Sequence, residues 1–343
     1  MKTITKILIL AICLTLFGGI LFLVGCSGNG FDFSKLSSVQ IKQMEYVESA
    51  KKNITDIHLS FKTTDFTIGF DENAENISIS YPQRQNKKGE NISTIQIEET
   101  ENSLTITEKQ KPSFIMFNFT DPIVTVTIPT SRVCALSIQG STGDVALNNG
   151  GVFSNLTVKV STGDVHLNNV QAEALQATAS TGDITISTVN VTNSVSAQTS
   201  TGDIALKSVT ANSLSAKADT GDVKLTGATI TDALKVETDT GNISLAENIT
   251  ANNITITADT GDLKAKNALI DGNILSITAD TGDVAMQLVG NKNDYATTVE
   301  TDTGSKNISS NLENVLDGLI SPTRTLKVKT DTGDIKVYFA EQN

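Results

Sequence analysis

The chain has 343 residues and a formal net charge of −12, from 38 acidic and 26 basic side chains. A surface of that sign repels phosphate backbones, so the composition argues against nucleic acid as a partner. The three cysteines are too few for a disulfide-dense scaffold, and tryptophan is absent.

The first 26 residues have the composition of a targeting or anchoring segment. Lys2 and Lys6 precede an uncharged stretch at 7–25. This stretch is longer than the ~7–15 apolar residues of a cleaved signal peptide and close to the ~20 that span a bilayer. It ends in Leu-Val-Gly-Cys, which resembles a bacterial lipobox with Cys26 as the acylated residue. We therefore predict a lipid anchor at Cys26, with an uncleaved transmembrane helix as the alternative. Both place the rest of the chain outside the cytoplasm, anchored to the bacterial cell membrane.

Residues 27–45 follow as a polar tether and a leading strand, and residues 46–135 contain runs in which polar and apolar residues alternate. The runs lie at 57–61, 66–70, 77–81, 94–97, 104–107 and 123–128. Period-two alternation with β-branched residues predicts strands. This block is either a separate small β domain or the irregular first rungs of the repeat region that follows. We favour the second interpretation because Thr63-Thr64-Asp65 resembles a degenerate copy of the repeated phrase.

From residue 136 to 343 the sequence is organised by one phrase, Ser/Asp-Thr-Gly-Asp, which recurs about every 20 residues. Its glycines are Gly143, Gly163, Gly182, Gly202, Gly221, Gly241, Gly261, Gly282, Gly304 and Gly333. A fixed period of this length indicates stacked units that each contact only their neighbours. Glycine adopts positive φ without a Cβ clash, so each phrase predicts a sharp structural turn between two strands. The predicted fold class is all-β: an elongated parallel β-solenoid, or β-helix, with ~20-residue coils, right-handed winding and a C-terminal closing strand.

Aspartates in register are the main candidate for binding. Aspartate follows the glycine in eight of the ten phrases, and a second aspartate stands three residues earlier in the C-terminal half. Like charges about 5 Å apart repel by about 1 kcal/mol in water, so such a column needs compensation. Backbone N–H groups can supply it, and we then expect no cofactor. The alternative is Ca²⁺, which would bridge the pairs Asp219/Asp222, Asp259/Asp262 and Asp280/Asp283.

Catalytic motifs are weak in this sequence. Asp-Thr-Gly is also the signature of pepsin-like aspartic proteases, in which two such loops bring carboxylates together. Here the triplet recurs in six successive repeats, which favours a structural role. His58 and His166 lie in alternating strands, and the spacing predicts no catalytic or metal cluster around them. We therefore predict no enzymatic activity. Because carbohydrate lyases and hydrolases also use parallel β-helices, a polysaccharide-acting enzyme is the alternative.

The Thr-Gly-Asp repeats occur together with Phe-Asp-Phe-Ser-Lys-Leu at 31–36, Val-Thr-Ile-Pro at 126–129 and Leu-Ser-Ile at 136–138. This combination resembles a bacterial "putative adhesin" family of unknown function with β-strand repeats, over about residues 40–340. The resemblance implies a non-catalytic surface protein, similar to proteins associated with cell-envelope stress. Its expected partners are the membrane and an unknown envelope or host-surface ligand. Members often carry a plain transmembrane anchor, and Cys26 departs from that pattern. An envelope-stress sensor or scaffold is a further alternative.

Overall fold

A computed structural model describes residues 39–49, 53–110, 122–148, 150–310 and 321–340. Within these ranges the regular structure is β-strand apart from one short 3₁₀ helix, Lys292–Asp294. The N-terminal strands are β1 (Val39–Val47), β2 (Asp56–Thr63), β3 (Asp65–Asp71), β4 (Ser78–Asn86), β5 (Ser93–Glu99), β6 (Ser103–Gln110) and β7 (Ile123–Pro129). The repeat strands are β8 (Cys134–Thr142), β9 (Val145–Leu147), β10 (Gly151–Thr162), β11 (Val165–Thr181), β12 (Ile184–Thr201), β13 (Ile204–Thr220), β14 (Val223–Thr240), β15 (Ile243–Thr260) and β16 (Leu263–Thr281). The C-terminal strands are β17 (Val284–Val289), β18 (Tyr295–Thr303), β19 (Lys306–Ser310), β20 (Arg324–Thr332) and β21 (Ile335–Ala340). The predicted all-β repeat fold is confirmed.

Each regular rung is one turn of the chain around a shared core. Adjacent rungs pair in parallel register, so that Leu175 lies beside Val195 and Val195 beside Leu214. Inward positions carry Leu, Ile, Val and Ala, and these residues form one core cluster that extends from Ile54 to Phe339. Burying each Leu, Ile or Val side chain stabilises the fold by about 1.5–3 kcal/mol. Since that burial is against the neighbouring rungs, the stack rather than the single rung is the stable unit.

Three bends divide each rung, and the first is the Thr-Gly turn. The second bend has a positive φ at Asn169, Thr188, Ser208, Gly227 and Glu247. There the alternation is interrupted, so that Leu167 and Val170 both point into the core. The third bend absorbs differences in length, as the register shift between Ala172 and Ala174 shows. Rungs of unequal length can therefore stack with their turns aligned.

The first rung in the sequence is not the first rung of the stack. β2 pairs in parallel with β8 on one side and with β6 on the other. β3 lies in the same way between β9 and β7. β4 pairs antiparallel with β1 and β7, and β5 pairs antiparallel with β6. The chain thus leaves β3, builds an outer layer and returns to place β8 and β9 on the inner side. The N-terminal block and the repeats share one sheet and one core.

At the C-terminal end the strand order in the stack also departs from the chain order, because later strands lie between earlier ones. We predicted a closing strand at the C-terminus, but β21 has a parallel partner on each side, β17 and β19. β20 likewise lies between β16 and β18. The outermost rung of the described chain is therefore β18–β19. The chain completes this rung first, and the last two strands then fill the space beneath it.

An arginine closes the turn column at the N-terminal end. Thr64 stands where later rungs have the turn glycine, and Arg84 donates hydrogen bonds to the Thr63 carbonyl and, at 2.9 Å, to the Thr64 hydroxyl. In the regular rungs the equivalent threonine carbonyl accepts a glycine N–H from the adjacent rung, such as Gly143 N–H to Thr162 O at 2.9 Å. The Arg84 guanidinium therefore replaces the donor that a further rung would supply. Glu108 holds it in place, at 2.7 Å, in a buried ion pair.

At the other end, two inward positions of the outermost rung carry polar side chains, while Val299 and Ile308 at neighbouring inward positions pack against the core. Lys306 occupies the inward column of Ile335 and is exposed. Thr297 lies in the same way in the column of Leu326. Terminal repeats with polar outer faces keep a solenoid soluble, and charged residues at inward positions prevent edge-to-edge association.

Residues 1–38, which contain the predicted anchor, lie outside the described ranges. In the part of the chain that the structure describes, no helix has the length and hydrophobicity to cross a membrane.

Candidate functional surface

The ten turn glycines form one column along the stack. Each has a φ between 136° and 154°. A Cβ added to Gly163 would overlap the carbonyl oxygen of Gly143, and one added to Gly182 would overlap that of Gly163. Glycine is thus required twice, for the backbone dihedral and for the close approach of consecutive rungs.

The residues that follow these glycines form a continuous hydrogen-bonded ladder, which we call the aspartate ladder. The Oδ1 atom of each accepts the backbone N–H of its counterpart in the next rung, as in Asp164 N–H to Asp144 Oδ1 at 2.7 Å. The acceptors, in stack order, are Asp65, Asp144, Asp164, Asp183, Asp203, Asp222, Asn242, Asp262, Asp283 and Asp334. Asn242 accepts its hydrogen bond without a charge, so the ladder depends on an acceptor oxygen at each step. Asp65 begins the ladder, and its position shows that Thr63-Thr64-Asp65 has the geometry of a repeat.

The pKa values of two ladder carboxyls are lowered by their partners. The Lys264 ammonium, 2.6 Å from Asp262 Oδ2, lowers the pKa of that carboxyl, and the hydrogen bond from the Asp283 N–H adds to the effect. The N–H of Ser305 lowers the pKa of Asp334. Hydrogen bonds to the ionised form therefore offset the repulsion along the column.

A second acidic column stands beside the ladder in the C-terminal half. Its members, in stack order, are Asp219, Asp239, Asp259, Asp280, Asp331 and Asp302. Lys217 lies 3.4 Å from Asp219 and 3.5 Å from Asp239, and Asp239 is the main cause of its raised pKa. Lys329 lies 2.7 Å from Asp331. Lysines in the next outward column thus neutralise part of this charge.

Calcium at the three predicted aspartate pairs stays a prediction. The second carboxylates of the pairs, Asp222, Asp262 and Asp283, each accept a backbone N–H. The residues with described positions contain no group of three or more His, Cys, Asp or Glu side chains that could hold a metal ion. A calcium ion at one of these pairs would therefore take its remaining ligands from water or from the backbone.

Exposed threonines run beside the aspartate ladder, and in the C-terminal half they lie between the two acidic columns. These are the threonines of the repeated phrase, in register from rung to rung: Thr63, Thr142, Thr162, Thr181, Thr201, Thr220, Thr240, Thr260, Thr281, Thr332 and Thr303. Paired threonines on neighbouring strands stabilise a sheet modestly, and their β-branched side chains suit an exposed strand position. The corner of the solenoid therefore presents one unbroken polar strip.

The three arginines lie at the ends of the stack, away from its middle. Arg84 pairs with Glu108, and Arg132 pairs with the buried Glu48 at 2.9 Å. Arg324 pairs with Asp271 at 2.9 Å and packs over the Tyr295 ring. His58 and His166 are exposed on outward positions. The arginines and histidines therefore lie outside the two acidic columns.

An open groove of about 530 Å³ crosses the last rungs, and we call it the distal groove. Its side chains include Lys264, Ala285, Gln287, Asn307, Lys336 and Tyr338. Ala285 lies between Lys264 and Lys336 in one outward column, and Gln287 is paired with Tyr338 in the next. The short alanine between two lysines makes the depression. Sequence reasoning missed this groove because its strands are not consecutive in the chain.

Of the two cysteines at 26 and 134, the structure describes only Cys134. Cys26, the predicted lipidation site, lies outside the described residues. Cys134 is buried, and burial raises the pKa of its thiol to about 12. The folded state therefore keeps Cys134 as a neutral, unreactive thiol.

Stacked parallel rungs, a glycine turn column and outward polar ladders together define an all-β repeat protein. The chain belongs to the Toastrack DUF4097 family, whose profile matches residues 54–246 and 188–338. The family resemblance predicted from the repeats is confirmed.

Several solved structures match the chain at low identity. A "putative adhesin" from Bacteroides fragilis is 15% identical, with a TM-score of 0.42, and the match covers 87% of this chain and 97% of that one. A "putative adhesin" from Parabacteroides merdae is 14% identical, with a TM-score of 0.38 and coverage of 88% and 97%. A "putative lipid binding protein" from Parabacteroides distasonis is 12% identical, with a TM-score of 0.24 and coverage of 88% and 97%. No curated protein matches the sequence.

Proposed function

We propose that the chain is a non-catalytic, membrane-anchored extracytoplasmic protein that displays its solenoid for adhesion or for binding to the cell envelope. One observation carries the proposal. β1, the strand nearest to the predicted anchor, lies at one end of the stack, and the β18–β19 rung lies at the other. Ten steps of the aspartate ladder at ~4.8 Å each separate the two ends by about 50 Å. A chain tethered at its N-terminus would thus hold its last rungs well above the membrane.

The outward surface supports binding rather than catalysis. Ladder carboxylates such as Asp183 and Asp203 are occupied as hydrogen-bond acceptors within the turn column. All three arginines are engaged in ion pairs at the ends of the stack. A polysaccharide lyase or hydrolase requires acidic and basic groups that converge on one substrate atom. The polar columns instead repeat the same side chains at each rung, which suits contact with an extended or repeating surface.

Binding to envelope material tests the proposal. The full chain, purified in mild detergent, is mixed with isolated cell envelopes and applied to a glycan array. The matched control is a Gly163→Ala, Gly221→Ala double variant, which keeps the N-terminal segment and disrupts the turn column. We expect retention of the wild type and loss of retention in the double variant. Equal retention of both proteins would assign the binding to the N-terminal segment, and no retention of the wild type would overturn the proposal.

Labelling of intact cells tests whether the solenoid lies outside the cytoplasm. In intact cells, we expect a membrane-impermeant amine label to react with exposed lysines such as Lys224 and Lys336. Labelling that appears only after lysis would contradict an extracytoplasmic solenoid.

A further inference from the structure

Tyr338 is exceptional among the aromatic side chains of the described residues. It is 38% exposed, whereas the other described phenylalanines and tyrosines are buried or half-buried. It lies in an outward column between Gln287 and Ser309, at the edge of the distal groove. Tyrosine favours exposed strand positions, but a single exposed aromatic at the edge of an open groove is also typical of a contact site.

The charges around the distal groove nearly cancel. Lys264 is held by Asp262 at 2.6 Å. Asp283 and Asp334 of the aspartate ladder stand two residues before Ala285 and Lys336. Two ammonium groups are therefore offset by carboxylates along one rim. A groove with this balance attracts neither a polyanion nor a polycation strongly, since steering requires one dominant sign of charge.

The remaining chemistry is that of hydrogen bonding beside an apolar ring. Gln287 and Asn307 offer amide donors and acceptors, and Lys336 offers ammonium donors. The Tyr338 ring offers a flat apolar face with a polar tip. A sugar ring combines hydroxyl groups around its edge with apolar C–H faces, so it matches both features.

We infer that the distal groove binds a neutral saccharide segment of an envelope or surface glycan. This inference rests on the proposed function and names the ligand class and the site. The groove lies in the rungs farthest from β1, so a tethered chain presents it outward. Ala285 admits the sugar, Tyr338 packs on its face, and Gln287, Asn307 and Lys336 bond its hydroxyls.

Two pairs of variants of the full chain test this site. Ala285→Arg fills the groove, and its control is Ala205→Arg, which adds the same side chain in the same outward column near the middle of the stack. Tyr338→Thr removes the ring and keeps a β-branched strand residue. Its control is Val152→Thr, since Val152 is also 38% exposed but lies in β10. Circular dichroism and the melting temperature verify that each variant is folded.

The probes are a glycan array of neutral and acidic saccharides and titration with the neutral tetrasaccharides chitotetraose and maltotetraose. We expect the wild type to retain at least one neutral saccharide, and Ala285→Arg and Tyr338→Thr to weaken that binding about tenfold or more, as for a central aromatic contact. Both controls should bind like the wild type. Retention of acidic saccharides alone, of no saccharide, or of neutral saccharides equally by all variants would overturn the inference. If the wild type still retains envelope material in that case, the proposed function survives and only the groove is wrong.

Discussion

One substitution can be compared at three glycines in different surroundings: one in the turn column, one at the second bend and one in strand β3. Gly202 has a φ of 140°, and a Cβ there would overlap the Gly182 carbonyl oxygen. Gly227 has a φ of 66°, and a Cβ would meet only the flexible end of the Glu247 side chain. Gly69 has open space around it and no positive φ. Replacing each by alanine therefore separates rung contact from backbone strain.

The expected costs differ in size and in sign. For Gly202→Ala, dihedral strain of about 1–3 kcal/mol adds to overpacking of about 1–3 kcal/mol, and the lower entropy of the unfolded chain offsets about 0.4–1 kcal/mol, so the free energy of unfolding should fall by about 1–5.6 kcal/mol. For Gly227→Ala, a left-handed alanine costs about 1–2 kcal/mol and the same entropy term offsets about 0.4–1 kcal/mol, which leaves a cost of about 0–1.6 kcal/mol. Gly69→Ala should stabilise the protein by about 0.4–1 kcal/mol through the same entropy term.

Urea unfolding followed by far-UV circular dichroism gives these differences, and hydrogen exchange shows where protection is lost. We expect Gly202→Ala to lower protection in the rungs on both sides of its turn, whereas Gly227→Ala should not. A cost at Gly202 no larger than that at Gly227 would refute the role assigned to contact between rungs.

Four further outcomes are expected. Asp203→Asn should change the stability little, as the natural Asn242 indicates, whereas Asp203→Ala should cost about 1 kcal/mol in urea unfolding because one N–H loses its acceptor; equal effects would contradict the ladder. The pKa of Asp334 is lowered in the folded state, so its contribution to stability should be complete above the ordinary aspartate value of about 4 and be lost as the pH falls below it. Melting curves between neutral and acid pH check this, and Asp334→Asn should reduce the dependence. Cys26→Ala should abolish incorporation of labelled palmitate if the lipid anchor is correct, and continued incorporation would exclude Cys26. Calorimetry with CaCl₂ should give heat and a raised melting temperature if the aspartate pairs bind calcium, and no change at millimolar calcium removes that prediction.

The regular part of the fold could be predicted because glycine recurs at each turn, where the backbone has a positive φ. Every turn in the column needs glycine, so the period appears directly in the sequence. The second bend needs only a positive φ, and residues as different as Asn169, Thr188 and Glu247 adopt it. No common residue type marks that bend, and sequence patterns therefore miss it.

The two ends of the stack could not be predicted for a different reason. Which rung neighbours which is set by strand pairing, and the strand order departs from the chain order at both ends. The 29-residue interval between Gly304 and Gly333 is the only trace of this in the repeat spacing. The distal groove depends on it directly, because Lys336 reaches Ala285 only through the inserted β21. The role of Arg84 could not be predicted either, since nothing in its local sequence shows that it caps a turn 20 residues earlier.

The placement of β20 and β21 puts two strands that follow the outermost rung in the sequence inside the fold. In the described structure, β18 and β19 have β20 and β21 as their strand partners. During synthesis the outermost rung must therefore wait for β20 and β21, because these strands are translated after it. A chain that terminates before residue 324 loses two rungs instead of one, and the edge of the β16–β17 rung that pairs with β20 and β21 is left open. The distal end of the solenoid thus forms only after β20 and β21 have been translated, and products truncated before these strands would expose an apolar edge to cellular proteases and chaperones.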